Sequence, residues 1–411
     1  MTKADKEGQR KAPILRFKGF TDAWEQRQLQ NQVQFFSGLT YSPSDVKDVG
    51  TFVIRSSNIK DSTLISADNV YVNPNIANSE PVKKDDVIMV VRNGSKSLIG
   101  KHALVTRKID NTVIGAFMTG IRSSTPYFLD ALLDTINFKK EIYKNLGATI
   151  NQITIGNLRK MTFKVPNKSE KFKIGNLFKK LNYLLALYER KLKLLSQIKK
   201  YFLDNLFAEK EYPNLRFKGF TDAWEQRKLG DISEKRIEKN NSLSIDNILS
   251  NSAIYGIVKQ NQYFDKTIAN NIQNYYIVHT NDFIYNPRIS NNAPFGPISR
   301  NKLAESGVMS PLYLVFYFSK KSLSDFFEIY FKSSKWHNFM YMHGNSGARS
   351  DRFAIKDNEF FKMRVKIPHN KSEIDKIYRL NILLNSLITL YESKKQNLNK
   401  IKNTLLNTMF I

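Results

Sequence analysis

One segment of this chain is written twice. Leu15 to Arg27, followed by Leu29, reads LRFKGFTDAWEQR, and Leu215 to Arg227, followed by Leu229, repeats it. Only Gln28 against Lys228 differs inside that stretch. A shorter echo follows each copy: Lys168-Ser169-Glu170 and Tyr188-Glu189 recur as Lys371-Ser372-Glu373 and Tyr391-Glu392. Between the echoes the two halves share almost nothing. The chain is therefore constrained to one frame built twice around two unlike fillings.

After Pro166 the apolar residues Ile174, Leu177, Leu181, Leu184, Tyr188, Leu195, Ile198 and Phe202 stand alternately three and four apart. After Pro368 the series Ile377, Leu380, Leu384, Leu387, Tyr391, Leu398, Ile401 and Leu405 repeats that spacing. The pattern predicts two long helices with a coiled-coil seam. Lys191 and Lys394 interrupt both stripes at the same place, and a shared polar break predicts that the helices are partners, with the break setting register. At about 35 residues each, they span roughly 50 Å. Packed antiparallel, they form a spacer with a pseudo-twofold relation between the halves. Leu185, Leu187 and Leu194 are expected to face outward.

Each filling mixes short strands with a helix near its end. In the first, Thr51–Ile54, Asp86–Val91 and Thr112–Ile114 read as strands, and Tyr127–Leu146 reads as a helix stopped by Gly147. In the second, Tyr275–Val278, Asp282–Tyr285 and Leu312–Phe318 read as strands, with a helix from Ser322 to Met342. Both then pass through Gly-Ala, at Gly147-Ala148 and Gly347-Ala348, to a last strand and a proline. The expected fold class is α+β. Two mixed α/β domains, 13–165 and 211–367, are separated by long antiparallel coiled-coil-like helices at 166–210 and 368–411 in a pseudo-twofold internal repeat, behind a tail at 1–12.

The formal charge of +27 exceeds what solubility requires and points to a polyanion, with nucleic acid leading. An AT-rich coding sequence that favours Lys, Asn and Ile is the bland alternative. The absence of Cys removes disulfides, thiolate metal sites and Cys nucleophiles, and suits a cytoplasmic protein. The first residues lack the apolar core of a secretory signal, and Val308–Phe318 is too short to cross a membrane.

Two loop groups in each filling hold the residue types that read DNA. In the first these are Arg92, Asn93, Ser95 and Lys96 after an apolar strand, and Thr149, Asn151, Gln152 and Thr154 after the helix. In the second they are Asn286, Arg288, Ser290, Asn291 and Asn292, then Arg349, Ser350 and Arg352. Arg forks onto guanine and Asn onto adenine, whereas Ser and Lys more often position a phosphate.

Catalytic signals are weak. Asn286-Pro287 begins like the Asn-Pro-Pro-aromatic motif of adenine methyltransferases, but Arg288 and Ile289 replace the second proline and the stacking ring. No Gly-rich cofactor loop or phosphate-binding loop appears. The five histidines are scattered, without metal-ligand spacing. Trp24 and Trp224 read as structural anchors. A self-contained DNA enzyme and a protein-binding scaffold with incidental charge are the competing classes.

The arrangement of two variable domains, two repeated segments, and helices with a Pro-x-x-x-Ser-Glu start and a Tyr-Glu-x-Lys middle resembles the DNA specificity subunit of type I restriction-modification systems. The likeness covers residues 13 to 411. Where that family often has Gln after the helix-start Glu, this chain has Lys171 and Ile374. The resemblance implies two target recognition domains reading the halves of an asymmetric bipartite site in double-stranded DNA. It implies a non-catalytic chain that docks two methyltransferase subunits and restriction/translocase subunits. S-adenosylmethionine, ATP and Mg would belong to those partners, with no cofactor or metal in this chain and no membrane role.

Overall fold

Both copies of the repeated segment end in a strand that closes their own filling. The computed structural model describes residues 11–146, 151–263, 271–345 and 351–411. It comprises unit 1, Met1–Arg190 with Glu392–Ile411, and unit 2, Lys191–Tyr391. Both divisions fall inside the long helices, because the last turns of each helix pack into the unit in which the other helix begins.

In unit 1, β1 (Glu25–Gln28) and β2 (Gln34–Ser37) precede β3 (Thr51–Ile54), β4 (Val70–Val72), β5 (Val87–Val90), β6 (His102–Leu104), β7 (Thr112–Ile114) and β8 (Met118–Arg122). One sheet runs β2–β8–β5–β6, antiparallel throughout. Its inner strand β5 is buried at all four residues, which is why it reads as an unbroken apolar run. A second sheet carries β4 and β7 on either side of β3, with β3 and β7 parallel. Then come α1 (Pro126–Asp134), α2 (Ile136–Lys144), α3 (Ile155–Lys160), β9 (Thr162–Val165) and the 38-residue α4 (Lys168–Asn205). The single helix expected over Tyr127–Leu146 is broken at Thr135, whose extended backbone ends α1. Its hydroxyl donates to the Leu132 carbonyl and accepts the Phe138 N–H, capping α2.

Unit 2 repeats the order with β10 (Glu225–Lys228), β11 (Glu234–Lys235), the hairpin β12 (Leu249–Ser252) and β13 (Gly256–Lys259), β14 (Tyr276–Val278), β15 (Phe283–Tyr285), β16 (Ile298–Arg300), β17 (Gly307–Met309) and β18 (Leu314–Tyr317). The sheet β11–β18–β15–β16 is the counterpart of β2–β8–β5–β6. The helix expected from Ser322 to Met342 splits into α5 (Lys321–Tyr330) and α6 (His337–His343). The turn between them is held by the Ser333 hydroxyl on the Tyr330 carbonyl and the Trp336 indole on the Phe331 carbonyl. Strand β19 (Arg364–Ile367) and the 39-residue α7 (Lys371–Met409) complete the chain. This core is aromatic: Phe318 stacks on Phe327 at 4.5 Å, and Phe283, Phe316 and Phe326 are fully buried. Each such ring contributes about 2–3 kcal/mol of apolar burial.

The echoes meet at shared joints. Strand β1 pairs antiparallel with β9, Glu25 opposite Val165, and β10 with β19, Glu225 opposite Ile367. Arg16 donates two hydrogen bonds to Glu170 at 2.7 and 2.8 Å, and Arg216 two to Glu373 at 2.7 and 2.9 Å. Both carboxylates are buried in the first turn of a long helix. The Leu15 N–H binds the Thr408 carbonyl at the end of α7, and the Leu215 N–H binds the Asn205 carbonyl at the end of α4. Trp24 packs edge-on against Phe410, and Trp224 against Phe326, which also meets Phe207. Gly19 and Gly219 both turn the chain at φ near +95°, a conformation that favours glycine. The repeated letters thus encode a helix-start lock, a helix-end clamp and a closing strand. A further joint is invisible in the letters: Arg122 grips the buried Asp86 bidentately, and Arg236 does the same to Asp282.

The helices run antiparallel in each unit. In unit 1, Glu189 faces Lys395 and Phe178 packs on Phe410; in unit 2, the Lys191 ammonium sits 4.3 Å over the Tyr391 ring while Phe207 clusters with Ile374 and Ile377. One line of buried and half-buried residues runs through 174, 178, 181, 185, 188, 192, 195, 199, 202 and 206 of the first helix and its end, and another through 374, 377, 381, 384, 388, 391, 395, 398, 402, 405 and 409 of the second. Ten of the sixteen expected stripe residues lie on these lines: Ile174, Leu181, Tyr188, Leu195, Phe202, Ile377, Leu384, Tyr391, Leu398 and Leu405. The other six stand one residue away; Leu184, Ile198 and Ile401 are exposed, whereas Leu177, Leu380 and Leu387 are half-buried, Leu177 against the core of unit 1. Leu185 therefore faces in, while Leu187 and Leu194 face out. Lys191 and Lys394 are exposed and are not the polar break. Inward polar positions include Asn182, Lys199, Asn381, Lys395 and Lys402. Gly175 lets α4 approach α1, where a Cβ would come within 2.7 Å of the Phe128 nitrogen.

Candidate nucleic-acid interface

In each unit the structure joins the two loop groups that the sequence singles out. Arg92, just after β5, forms an antiparallel bridge with Gln152, and Arg288, just after β15, forms one with Arg352. Each bridge is flanked by a second tie. The Ile153 N–H binds the Val91 carbonyl, and the Phe353 N–H binds the Pro287 carbonyl. A rigid inner strand therefore presents one arginine on each unit beside a second backbone segment.

Arg92 is exposed, and its guanidinium lies 5.0 Å from the ring of Phe117, itself 53% exposed at the turn between β7 and β8. The Arg92 N–H binds the Phe117 carbonyl, which fixes the base of that pair. Asn93 donates to the Ser56 hydroxyl and accepts the Ser95 N–H, and Asn151 donates to the Gly94 carbonyl. These two amides shape the loop, leaving Arg92 and Lys96 as its exposed cations. Ser95 shares a hydrogen bond with Ser97, and Gln152 is half-buried beneath the bridge. Thr154 is the cap of α3: its hydroxyl accepts the Asn157 N–H at 3.0 Å.

In unit 2, Asn286 donates to the Asn251 carbonyl and accepts the Arg288 N–H, so its amide serves the loop's backbone. Arg288 is 65% exposed, with only a 3.8 Å contact to the equally open Asp351, a pair of little energetic weight in water. Ser290 and Ala293 exchange both backbone hydrogen bonds, which projects Asn291 and Asn292 at an exposed hairpin tip. Arg352 is half-buried at the bridge. Thr149, Arg349 and Ser350 lie outside the described residues.

The sequence reading missed Phe117 and Ser56 in unit 1 and Asn251 in unit 2. Phe117 carries a local signal, an aromatic residue two positions after a glycine between two strands. Asn251 carries none, because its partner is 35 residues away.

Each of the five histidines has a protein neighbour, His369 lying 3.8 Å from Glu225. His102 is buried beside Asp130 and Asp134, His279 meets Glu238 at 2.8 Å, and His343 stacks on Phe339. His337 packs against Trp336 and Phe295, and burial holds its pKa below the usual range. Among the described residues no group of three or more His, Cys, Asp and Glu side chains is placed to hold a metal ion, and no helix is long and apolar enough to cross a membrane.

Neither a protein-family profile nor a curated protein matches the sequence. Solved structures do match the fold. The S subunit of a type I restriction-modification system from M. genitalium superposes with a TM-score of 0.60 at 13% identity, over 97% of this chain and 99% of that one. A chain from a structure concerned with complex assembly and conformational transition of the type I R-M system gives 0.51 at 13% identity, over 94% and 97%. Two mixed α/β units and two long helices, matched over nearly the whole length of both chains, give this protein the fold of a type I restriction-modification S subunit.

Proposed function

We propose that this chain is the non-catalytic DNA-specificity subunit of a type I restriction-modification complex, with each unit reading one half of a split, asymmetric site in double-stranded DNA. The observation that carries the reading is the contrast between frame and filling. The joints are duplicated almost letter for letter, while each filling offers its own exposed arginine loop, Arg92 or Arg288, on the same bridged scaffold. A protein reading two different sequences needs constant supports and variable edges. The excess of positive charge supports a polyanionic partner.

On this reading the helices set the unread gap and carry the docking surface for two methyltransferase subunits, with restriction/translocase subunits joining outside. S-adenosylmethionine, ATP and Mg act in those partners, in the cytoplasm. Two experiments test the proposal. Purified chain given S-adenosylmethionine or Mg²⁺ with DNA is expected to leave it unmodified and uncut; activity of the chain alone defeats the non-catalytic assignment. Lengthening both helices by one heptad, the first within Leu192–Lys200, is expected to change the gap in the methylated motif while both halves stay the same; a constant gap defeats the spacer role.

A further inference from the structure

The two units place a lysine of the passing helix at the same point and surround it differently. Lys402 of α7 stands 203 residues after Lys199 of α4, the interval of the helix echo. In unit 1, Lys402 donates to Asp134 at 2.8 Å and the pair is largely buried. In unit 2, Lys199 makes no hydrogen bond or ion pair among the described residues. It is half-buried, and the charge it feels is that of Lys332, which shares Glu328 with Arg300 and Lys302. Burial and the neighbouring cation hold the Lys199 ammonium below the usual range, and burial does the same to Lys332.

Six cations, Lys199, Lys200, Arg300, Lys302, Lys332 and Lys335, outnumber the carboxylates on the same surface, Asp204 and Glu328, even with Asp325 and Glu209, which pair with Arg300 and Lys335, set against them. They line a cleft of 1420 Å³ inside unit 2 that is open to solvent. Like charges gathered away from bulk water are costly unless an anion joins them. A phosphate group offsets part of that excess, one negative charge as a backbone diester and up to two as a free monoester, and offers acceptors to several ammonium groups at once.

We infer that the cleft of unit 2 binds a phosphate group, held between Lys199 and Lys332 with Lys302 at its edge. The phosphate comes either from the DNA backbone or from a free phosphorylated compound. The first source rests on the DNA-reading proposal; the second does not.

The test uses the full chain, wild type and with Lys199→Gln or Lys332→Gln, in two arms. Calorimetric titration with inorganic pyrophosphate reads the free source. If wild type binds and each variant binds about tenfold more weakly, the site takes free phosphate. Duplex binding across a salt series reads the backbone source. If pyrophosphate is not bound but each variant lowers the slope of log K against log salt by about one, equally on cognate and unrelated duplexes, the site grips the backbone. No pyrophosphate binding together with unchanged slopes overturns the inference. Should the wild-type chain bind no duplex, the DNA reading fails by itself and the pyrophosphate arm decides this one. Lys199→Arg keeps the charge and is expected to retain binding, which separates loss of the cation from a folding defect.

Discussion

In unit 1 the lysine of the passing helix is tied to the filling: Lys402 bonds Asp134, His102 sits 3.6 Å from both Asp130 and Asp134, and Asn182 reaches Asp130 at 3.3 Å. In unit 2 the matching lysine lines an open cleft, and Arg300 rather than a histidine meets Asp325 and Glu328. Yet the Arg–Glu lock at the helix start is the same in both, bidentate and shielded from water. The frame is conserved between the copies where it bears on helix placement and free to diverge where the filling begins. Duplication preserved the joints, and the fillings acquired their own chemistry around them.

The comparison is broken most forcefully at the lock. Glu170→Ala and Glu373→Ala each remove a buried carboxylate from a partly exposed arginine, and each is expected to cost about 2–3 kcal/mol in urea unfolding. Similar losses in the two variants support an energetically duplicated frame; a loss confined to one would show that the copies only look alike.

Next is pH. Burial pushes the Asp130 carboxyl up to about 6, with His102 and Lys402 opposing and Asp134 adding to the rise. A carboxyl whose pKa is higher folded than unfolded stabilises fully below the unfolded value near 4, and that contribution is lost as pH rises through 6. Burial also pushes Asp134 up, but His102 and Lys402 outweigh it and hold that carboxyl low, so its contribution is lost on acidification instead. Asp130→Asn is therefore expected to raise stability by roughly 3 kcal/mol at pH 8 and hardly at all at pH 4. Thermal melts at both values check this, and equal effects at the two pH values would contradict it. In unit 2 the basic partner of the matching carboxylates is Arg300.

Smaller and more specific is the reading loop. Arg92→Gln and Arg288→Gln are each expected to cost about 1–3 kcal/mol at one base position, in different halves of the target. Binding to a panel of single-base variants checks this, and equal losses on every sequence would make both arginines phosphate contacts. Smallest is the seam: Leu184→Ala and Ile401→Ala, off the seam in the same unit, are expected to change stability by less than about 0.5 kcal/mol. Leu181→Ala on the seam is expected to cost about 2–4 kcal/mol. A large loss at Leu184 would restore the other register.

Much of this was legible in the letters. The repeat, the long helices, the inner strands and both loop groups stand close to where their patterns put them. The seam was half legible, because Phe178, Leu185, Leu192 and Ile388 are apolar residues one step beyond the chosen positions. Both phases then satisfy the heptad, and only packing decides between them. The helix breaks near Thr135 and Ser333 turn on side chains returning to the backbone, which apolar periodicity does not register. Long-range locks such as Arg16 with Glu170, 154 residues apart, have no local signature at all. The sequence also offered Thr154 and Asn286 as readers, and the structure uses both to cap or brace the backbone.

The most direct measurement exchanges residues 30–146 for an unrelated filling on the same frame and maps methylated sites in a host that supplies the partner subunits. Two independent readers on shared joints predict that one half of the motif changes while the other half and the gap persist. Change in both halves at once would contradict the account.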